Sequence, residues 1–235
     1  MLLRCLAASL LTQVLLGLRV LRPPVLRQGV VLVSQPGEHN HFLYEQAVFL
    51  YEYTQRGSKA VILERPTAFT MGEISPGERL LEASSSSTNG VSQELECSRG
   101  TRSSWVRSGR TSLDADEWLG GDQGGDMAIM LHPYAFTEQS KECGAGIFLG
   151  GMRQARELVT QGKASPKDFK FFFNGIEWPP GQLEQEVEQG RWDVVEVSSD
   201  LILRQSSATT LWHRARKEIE LSRSLEESRQ ESQGT

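Results

Sequence analysis

The chain is 235 residues long, 38% hydrophobic and 23% charged, which is enough for one domain of ordinary size with appendages. Its formal net charge of −5 offers no global field for nucleic acid, and no sustained basic patch marks a membrane surface. Cys5, Cys97 and Cys143 lie far apart with no Cys-x-x-Cys pair, so zinc-knuckle and thioredoxin-type chemistry are excluded and a reducing compartment fits.

From Met1 to Gly37 the chain carries Arg4, Arg19, Arg22 and Arg27 and no acidic residue. The apolar stretch LAASLLTQVLLGL between Arg4 and Arg19 is too short to span a bilayer as a helix, so no stable membrane insertion is expected. A basic, acid-free start predicts a targeting leader over residues 1–28; the alternatives are a short helix of the domain itself or a misplaced start codon. VVLVSQPG (Val30–Gly37) then reads as a buried strand closed by a Pro-Gly turn. The pair His39 and His41, with Glu38 adjacent, has metal-ligand chemistry but follows that turn, which predicts a solvent loop and no metal. QAVFLYEY (Gln46–Tyr53) and Ala60–Leu63 read as two further strands in antiparallel pairing, the second stopped by Pro66.

Residues 82–116 are serine-rich and lack both helical and strand periodicity, predicting a disordered, solvated insertion. GGDQGGDMAIMLHP (Gly120–Pro133) follows, a glycine-rich turn running into an apolar strand. It is no phosphate cradle, because Asp122 and Asp126 repel an anion and no Gly-Lys-Ser or Gly-Lys-Thr follows. The turn is expected to use its glycines at positive φ. Met127–Tyr134 and Gly146–Gly151 read as strands, and Met152, Ala155, Leu158 and Val159 fall on one helical face ahead of Gly162. Ser165–Asp168 has a capping-box pattern with Pro166 in first position, before the strand KFFFNG. A proline-led helix closed by Gly190, the strand WDVVEV and a helix from Ala208 to Leu221 complete the domain, and residues 222–235 read as a frayed polar tail. Without a regular βαβα alternation the fold class is α+β, a single domain over residues 29–221.

Four blocks resemble the AlgH/YqgE-like family. GVVLVSQPG (Gly29–Gly37) is similar to its opening strand, and VILERPT (Val61–Thr67) to its V-I-L-N-R-P-T, with Glu64 in place of asparagine. GGDQGGDMAIMLH is similar to its Gly-Gly turn and strand ending in Leu-His. FNGIEWPPGQLEQEV (Phe173–Val187) is similar to its G-Y-x-G-W-x-x-G-Q-L-x-x-E block, matching at Gly175, Trp178, Gly181, Gln182 and Leu183. The resemblance implies a coiled, mixed or antiparallel, branched sheet flanked by helices, no reaction and no cofactor. Its plant and algal members make a plastid the expected destination of the leader, with the cytoplasm as the alternative.

The residues with chemistry to offer are few. Arg65, between a buried strand and a proline, has the geometry to pair a carboxylate or an anionic ligand, with Asp122 and Asp126 as internal candidates. His132 ends a buried strand, as a hydrogen-bonded edge histidine or as an acid–base group. Trp178 and Gln182 flank a Pro-Pro-Gly turn, with the Trp178 N–H expected on a backbone acceptor. Cys143, beside Glu142, is a poor thiolate. These features predict an interaction or regulatory module with an unidentified protein partner and no nucleic acid. The rival is an enzyme of unknown reaction with a pocket near Arg65, His132 and Trp178.

Overall fold

The strands read from the sequence assemble into one branched sheet in a computed structural model, which describes residues 17–37, 43–70, 116–136, 140–203 and 208–233. In chain order the strands are β1 (Leu18–Val20), β2 (Val31–Ser34), β3 (Ala47–Thr54), β4 (Gly57–Ile62), β5 (Pro66–Thr70) and β6 (Asp116–Leu119), then β7 (Gln123–His132), β8 (Ser140–Glu142), β9 (Phe148–Gly150), β10 (Lys170–Trp178) and β11 (Trp192–Val197). The helices are α1 (Met152–Thr160), α2 (Gln182–Glu188), α3 (Ser199–Leu203) and α4 (Leu211–Gln233). The main path runs β1-β11-β2-β3-β4-β10-β7-β9-β8, antiparallel throughout, while β6 lies parallel to β10 and carries β5 on its other edge.

The branch is made by β10. Its first half, Lys170–Phe173, pairs with both β7 and β6, and its second half, Ile176–Trp178, pairs with β4. Between the halves the register shifts and Asn174 adopts a left-handed φ of 62°. Gly120 and Gly121 pass directly over this bend. A Cβ on Gly120 would overlap the Asn174 carbonyl oxygen, and one on Gly121 the Gly175 carbonyl. Neither has the positive φ expected of this turn; the close backbone approach is what demands glycine. The Gly120 N–H donates to the Phe173 carbonyl at 2.8 Å and its own carbonyl accepts from the Ile62 N–H at 2.8 Å.

The sheet is covered on both faces, which explains why its central strands read as continuous apolar runs. One face presents Val31, Val33, Phe49, Val61, Phe172 and Val195 to Ile202 of α3 and to Leu211, Trp212, Ala215 and Ile219 of α4. The other presents Leu32, Val48, Leu50, Ile62 and Val194 to Leu183 of α2 and to the rings of Trp178 and Trp192. Burying each such side chain contributes roughly 1.5–3 kcal/mol. A third cluster packs Met130, Phe169 and Phe171 against Ala155 of α1.

Several local readings hold. The Ser165 N–H donates to Asp168 Oδ2 at 2.8 Å and the Lys167 N–H to Ser165 Oγ at 3.3 Å, a capping box with Pro166 in the first turn. Others are corrected. β4 does stop at Ile62, ahead of Pro66, which opens β5, but β10 runs on past Gly175 to Trp178 because its far half has β4 to pair with. α4 continues to Gln233 rather than fraying at Ser222. Its far half is tied to the body by ion pairs of Arg223 with Asp193 and Arg22 with Glu226, and the Ser224, Ser228 and Ser232 hydroxyls donate to carbonyls four residues back. Leu18 is buried and β1 pairs with β11, so the stretch from Gly17 packs on the body of the fold. Residues 1–16, the pair His39 and His41, and the serine-rich segment except Asp116 lie outside the described residues.

Candidate functional site

The structure separates the residues picked from the sequence. Leu131, the neighbour of His132, pairs with Lys170 at the start of β10, whereas Trp178 is the last residue of that strand. Eight residues of strand, at most roughly 26 Å when fully extended, separate them, and Trp178 packs with Leu183 and Trp192 while His132 packs with Phe136 and Phe169, so the two share no pocket. Arg65 sits half-buried at the corner between β4 and β5, where its carbonyl accepts from the Leu119 N–H at 2.8 Å. Asp122 is exposed between β6 and β7. Asp126 lies within β7, and its backbone alone is described.

Trp178 and Gln182 do meet, around a residue the sequence reading passed over. Glu186 of α2 is 8% exposed. Its Oε2 accepts from both indoles, Trp178 Nε1 at 3.1 Å and Trp192 Nε1 at 2.8 Å. Its Oε1 accepts from Gln182 Nε2 at 3.0 Å, with the Arg191 guanidinium 3.7 Å away. The rings of Trp178 and Trp192 meet edge-on at 6.1 Å. The Trp178 N–H therefore has a carboxylate where a backbone acceptor was expected. The cue was present, since Glu186 is the closing glutamate of the Q-L-x-x-E stretch and stands four residues after Gln182, but Trp192 comes from a separate strand and only folding brings it in.

His132 is fully buried among Tyr134, Phe136, Phe148 and Phe169. The Tyr134 N–H donates to Nδ1 at 3.2 Å, so the proton belongs on Nε2, which donates to the Gly150 carbonyl at 2.8 Å. Burial holds its pKa down at about 4 against the carbonyl bond that raises it. The ring is neutral at pH 7 with both nitrogens used. Cys143 is likewise closed off, fully buried with its thiol pushed up to about 12 by desolvation.

The most loaded cluster stands at the head of β10. Lys170 is 3% exposed, and its Nζ donates to the Leu63 carbonyl at 2.8 Å and the Ile202 carbonyl at 3.3 Å, 4.1 Å from the centre of the Trp118 ring. Burial lowers its pKa to about 7, opposed by the charge of Glu64. Glu64 accepts the Leu211 N–H at the start of α4, where the helix dipole favours an anion. Burial raises the Glu64 pKa, while the Leu211 bond and the Lys170 charge lower it. Lys170 and Glu64 thus hold the end of α3 and the start of α4. Lysine ahead of three phenylalanines gave no sequence signal for this role, since its partners are carbonyls.

The sequence profile of the AlgH-like family matches residues 31–224. The chain belongs to the AlgH-like family. It is 26% identical over 179 residues to a UPF0301 protein of Pelodictyon phaeoclathratiforme, covering 75% of this chain and 79% of that one. A UPF0301 protein of Chlorobium limicola is 23% identical over 192 residues, covering 81% and 85%. Among solved structures, protein DIP2367 of Corynebacterium diphtheriae superposes with a TM-score of 0.57 at 15% identity, covering 80% of this chain and 84% of that one. The solution structure of AlgH from Pseudomonas aeruginosa gives 0.52 at 15% identity, covering 75% and 80%. These relatives are bacterial, and the likeness to the solved structures carries the fold alone.

Within this AlgH-like chain Trp178, Gln182 and Trp192 build the indole–carboxylate clasp on Glu186, and Glu64 holds a place at the head of α4. Among the described residues no three of His, Cys, Asp and Glu are grouped to hold a metal ion, and no helix is long and apolar enough to cross a membrane.

Proposed function

We propose that this AlgH-like protein acts by binding a protein partner, as an interaction or regulatory module without catalysis. The observation that supports this is that the described groups with the most reactive chemistry are committed to internal partners. His132 spends both ring nitrogens on backbone, Glu186 bonds two indoles and an amide, Lys170 bonds two carbonyls, and the Cys143 thiol is sealed. A chain of net charge −5 also favours a protein partner over nucleic acid. Cross-linking the intact chain in native extract should capture a stoichiometric partner, and the yield should survive Lys170→Met. Capture of no defined partner overturns the reading.

One observation favours the enzyme alternative. An amine with a pKa of about 7 is substantially unprotonated at neutral pH, as nucleophilic lysines are. Of the pocket read from the sequence near Arg65, His132 and Trp178, an enzyme reading therefore drops His132 and Trp178 and centres on Lys170, which bonds the Leu63 carbonyl two residues ahead of Arg65. Labelling of Lys170 in the folded chain by an amine-reactive probe at neutral pH, with partner capture intact in Lys170→Met, would favour it. We further propose that the N-terminal residues 1–28, with Arg4, Arg19, Arg22 and Arg27 and no acidic residue, direct the chain to a plastid. A reporter fused to residues 1–28 should enter plastids, and a diffuse cytosolic signal counts against that address.

A further inference from the structure

Helix α4 is anchored by one side and bare on the other. Its inner side places Trp212 Nε1 on the Ser34 carbonyl at 2.9 Å and Arg216 on Asp193 at 2.8 Å, with Ile219 fully buried. On its flank an open groove of about 350 Å3 lies between Leu18 and Leu201 of the body and His213, Arg214, Lys217 and Glu218 of the helix. Further along, Leu221 and Leu225 are 50% and 43% exposed, two of the four large apolar residues exposed among the described ones. Lys217, Leu221 and Leu225 follow at steps of four, and Arg214 precedes Leu221 by seven, so they share one helical face. From Arg214 to Leu225 that face runs roughly 17 Å. An apolar floor, two permanent cations with the Glu218 carboxylate beside them, and an apolar pair therefore stand in one strip.

We propose that this strip docks an acidic amphipathic helix of a partner protein. One apolar side chain of the partner enters the groove over Leu18 and Leu201, a carboxylate meets Lys217 and Arg214, and further apolar side chains lie on Leu221 and Leu225. The proposal rests on the interaction reading above and gives that partner its chemistry. Arg214 and Lys217 outnumber Glu218 along the groove of a chain whose net charge is −5, and that local excess of cations sets the sign of what it attracts. The leucines lie beyond the groove, so an extended partner uses the whole strip where a small amphiphile uses only the concavity. A second copy fits poorly. The antiparallel register that sets Leu221 on the Leu225 of another α4 also sets Lys217 against Arg229.

The probe is a fluorescein-labelled synthetic helix of about five turns, with leucine at i, i+4 and i+7 and glutamate on both flanks, titrated with the full chain by anisotropy. A second peptide carries lysine at every glutamate. The acidic peptide should bind, weaken as salt rises from about 0.1 M to about 1 M, and lose about 10-fold or more in affinity with Lys217→Glu or Leu221→Asp. Both positions are exposed, and unchanged melting of the variants verifies their fold. The proposal is overturned by equal binding of the two peptides, by no binding of the acidic one, or by indifference to both substitutions. Decanoate bound in its place and released by Lys217→Glu would give the groove to a small amphiphile. A dimer dissolved by Leu221→Asp would give the strip to a second copy. If the partner captured from extract is retained by both variants, the interaction reading stands and this strip is not its seat.

Discussion

A carboxylate as buried as Glu186 needs donors on both oxygens, and it has them from residues whose own N–H groups need an acceptor. The clasp is reciprocal, and its loss is unequal for different replacements. Glu186→Ala strands two buried indole N–H groups and should destabilise the protein by about 3–5 kcal/mol. Glu186→Gln should cost under about 1.5 kcal/mol. Both indoles bond the same oxygen, which an amide still offers, and Gln182 can turn its own oxygen toward the new NH2. Urea unfolding followed by tryptophan fluorescence separates the two. Equal losses for Ala and Gln would mean that the charge, with Arg191 beside it, is the essential feature.

At the scale of elements, the sequence was most readable where one segment carries its own reason for folding. The capping box at Ser165, the helix Met152–Thr160 ahead of Gly162, and the valine-rich strands β2 and β11 all show their cause within a few residues. It was least readable where an element depends on a remote partner. β10 looked finished at Gly175 because nothing local says that β4 waits for Ile176–Trp178. α4 looked finished at Leu221 because apolar periodicity stops there, while the Arg22 and Arg223 ion pairs tie its far half to the body. The double glycine was rightly singled out, but for the wrong geometry. Crossing β10 at its bend requires a missing Cβ, and a single sequence does not tell that need from a positive φ. The site shows the same division: Trp178 and Gln182 were legible from a family block, whereas Lys170 and Glu64 acquire their roles only when α3, α4 and the β4–β5 corner converge.

For the whole molecule, the buried ionisable groups set an unusual dependence of stability on pH. Stability rises with pH wherever the unfolded chain binds more protons than the folded one, by about 1.4 kcal/mol per pH unit for each such proton. His132 meets that condition between about 4, its folded pKa, and 6.5, so it adds a loss on acidification through that window. Glu64, whose pKa is raised, works the other way just above 4.5 and blunts the acid limb. Lys170 meets the condition between about 7 and 10.5, because the unfolded lysine keeps the proton that the buried amine has released. Cys143 opposes it from 9 upward, since the unfolded thiol ionises there while the buried one holds its proton to about 12. Tyr51, raised by burial, joins that opposition above 10. The net expectation is a gain of up to about 3 kcal/mol from pH 7 to pH 9, a plateau while Lys170 and Cys143 cancel, and a fall above pH 10. The optimum thus lies on the alkaline side of neutrality, contrary to the usual range of pH 5 to 8 for a folded protein. Urea unfolding across this range tests it, with Lys170→Met as the control. The variant should be flat from pH 7 to 9 where the wild type climbs, whatever its absolute stability. A wild-type curve already flat there would mean that Lys170 stays protonated in the folded protein, held by the Leu63 and Ile202 carbonyls and the nearby charge of Glu64.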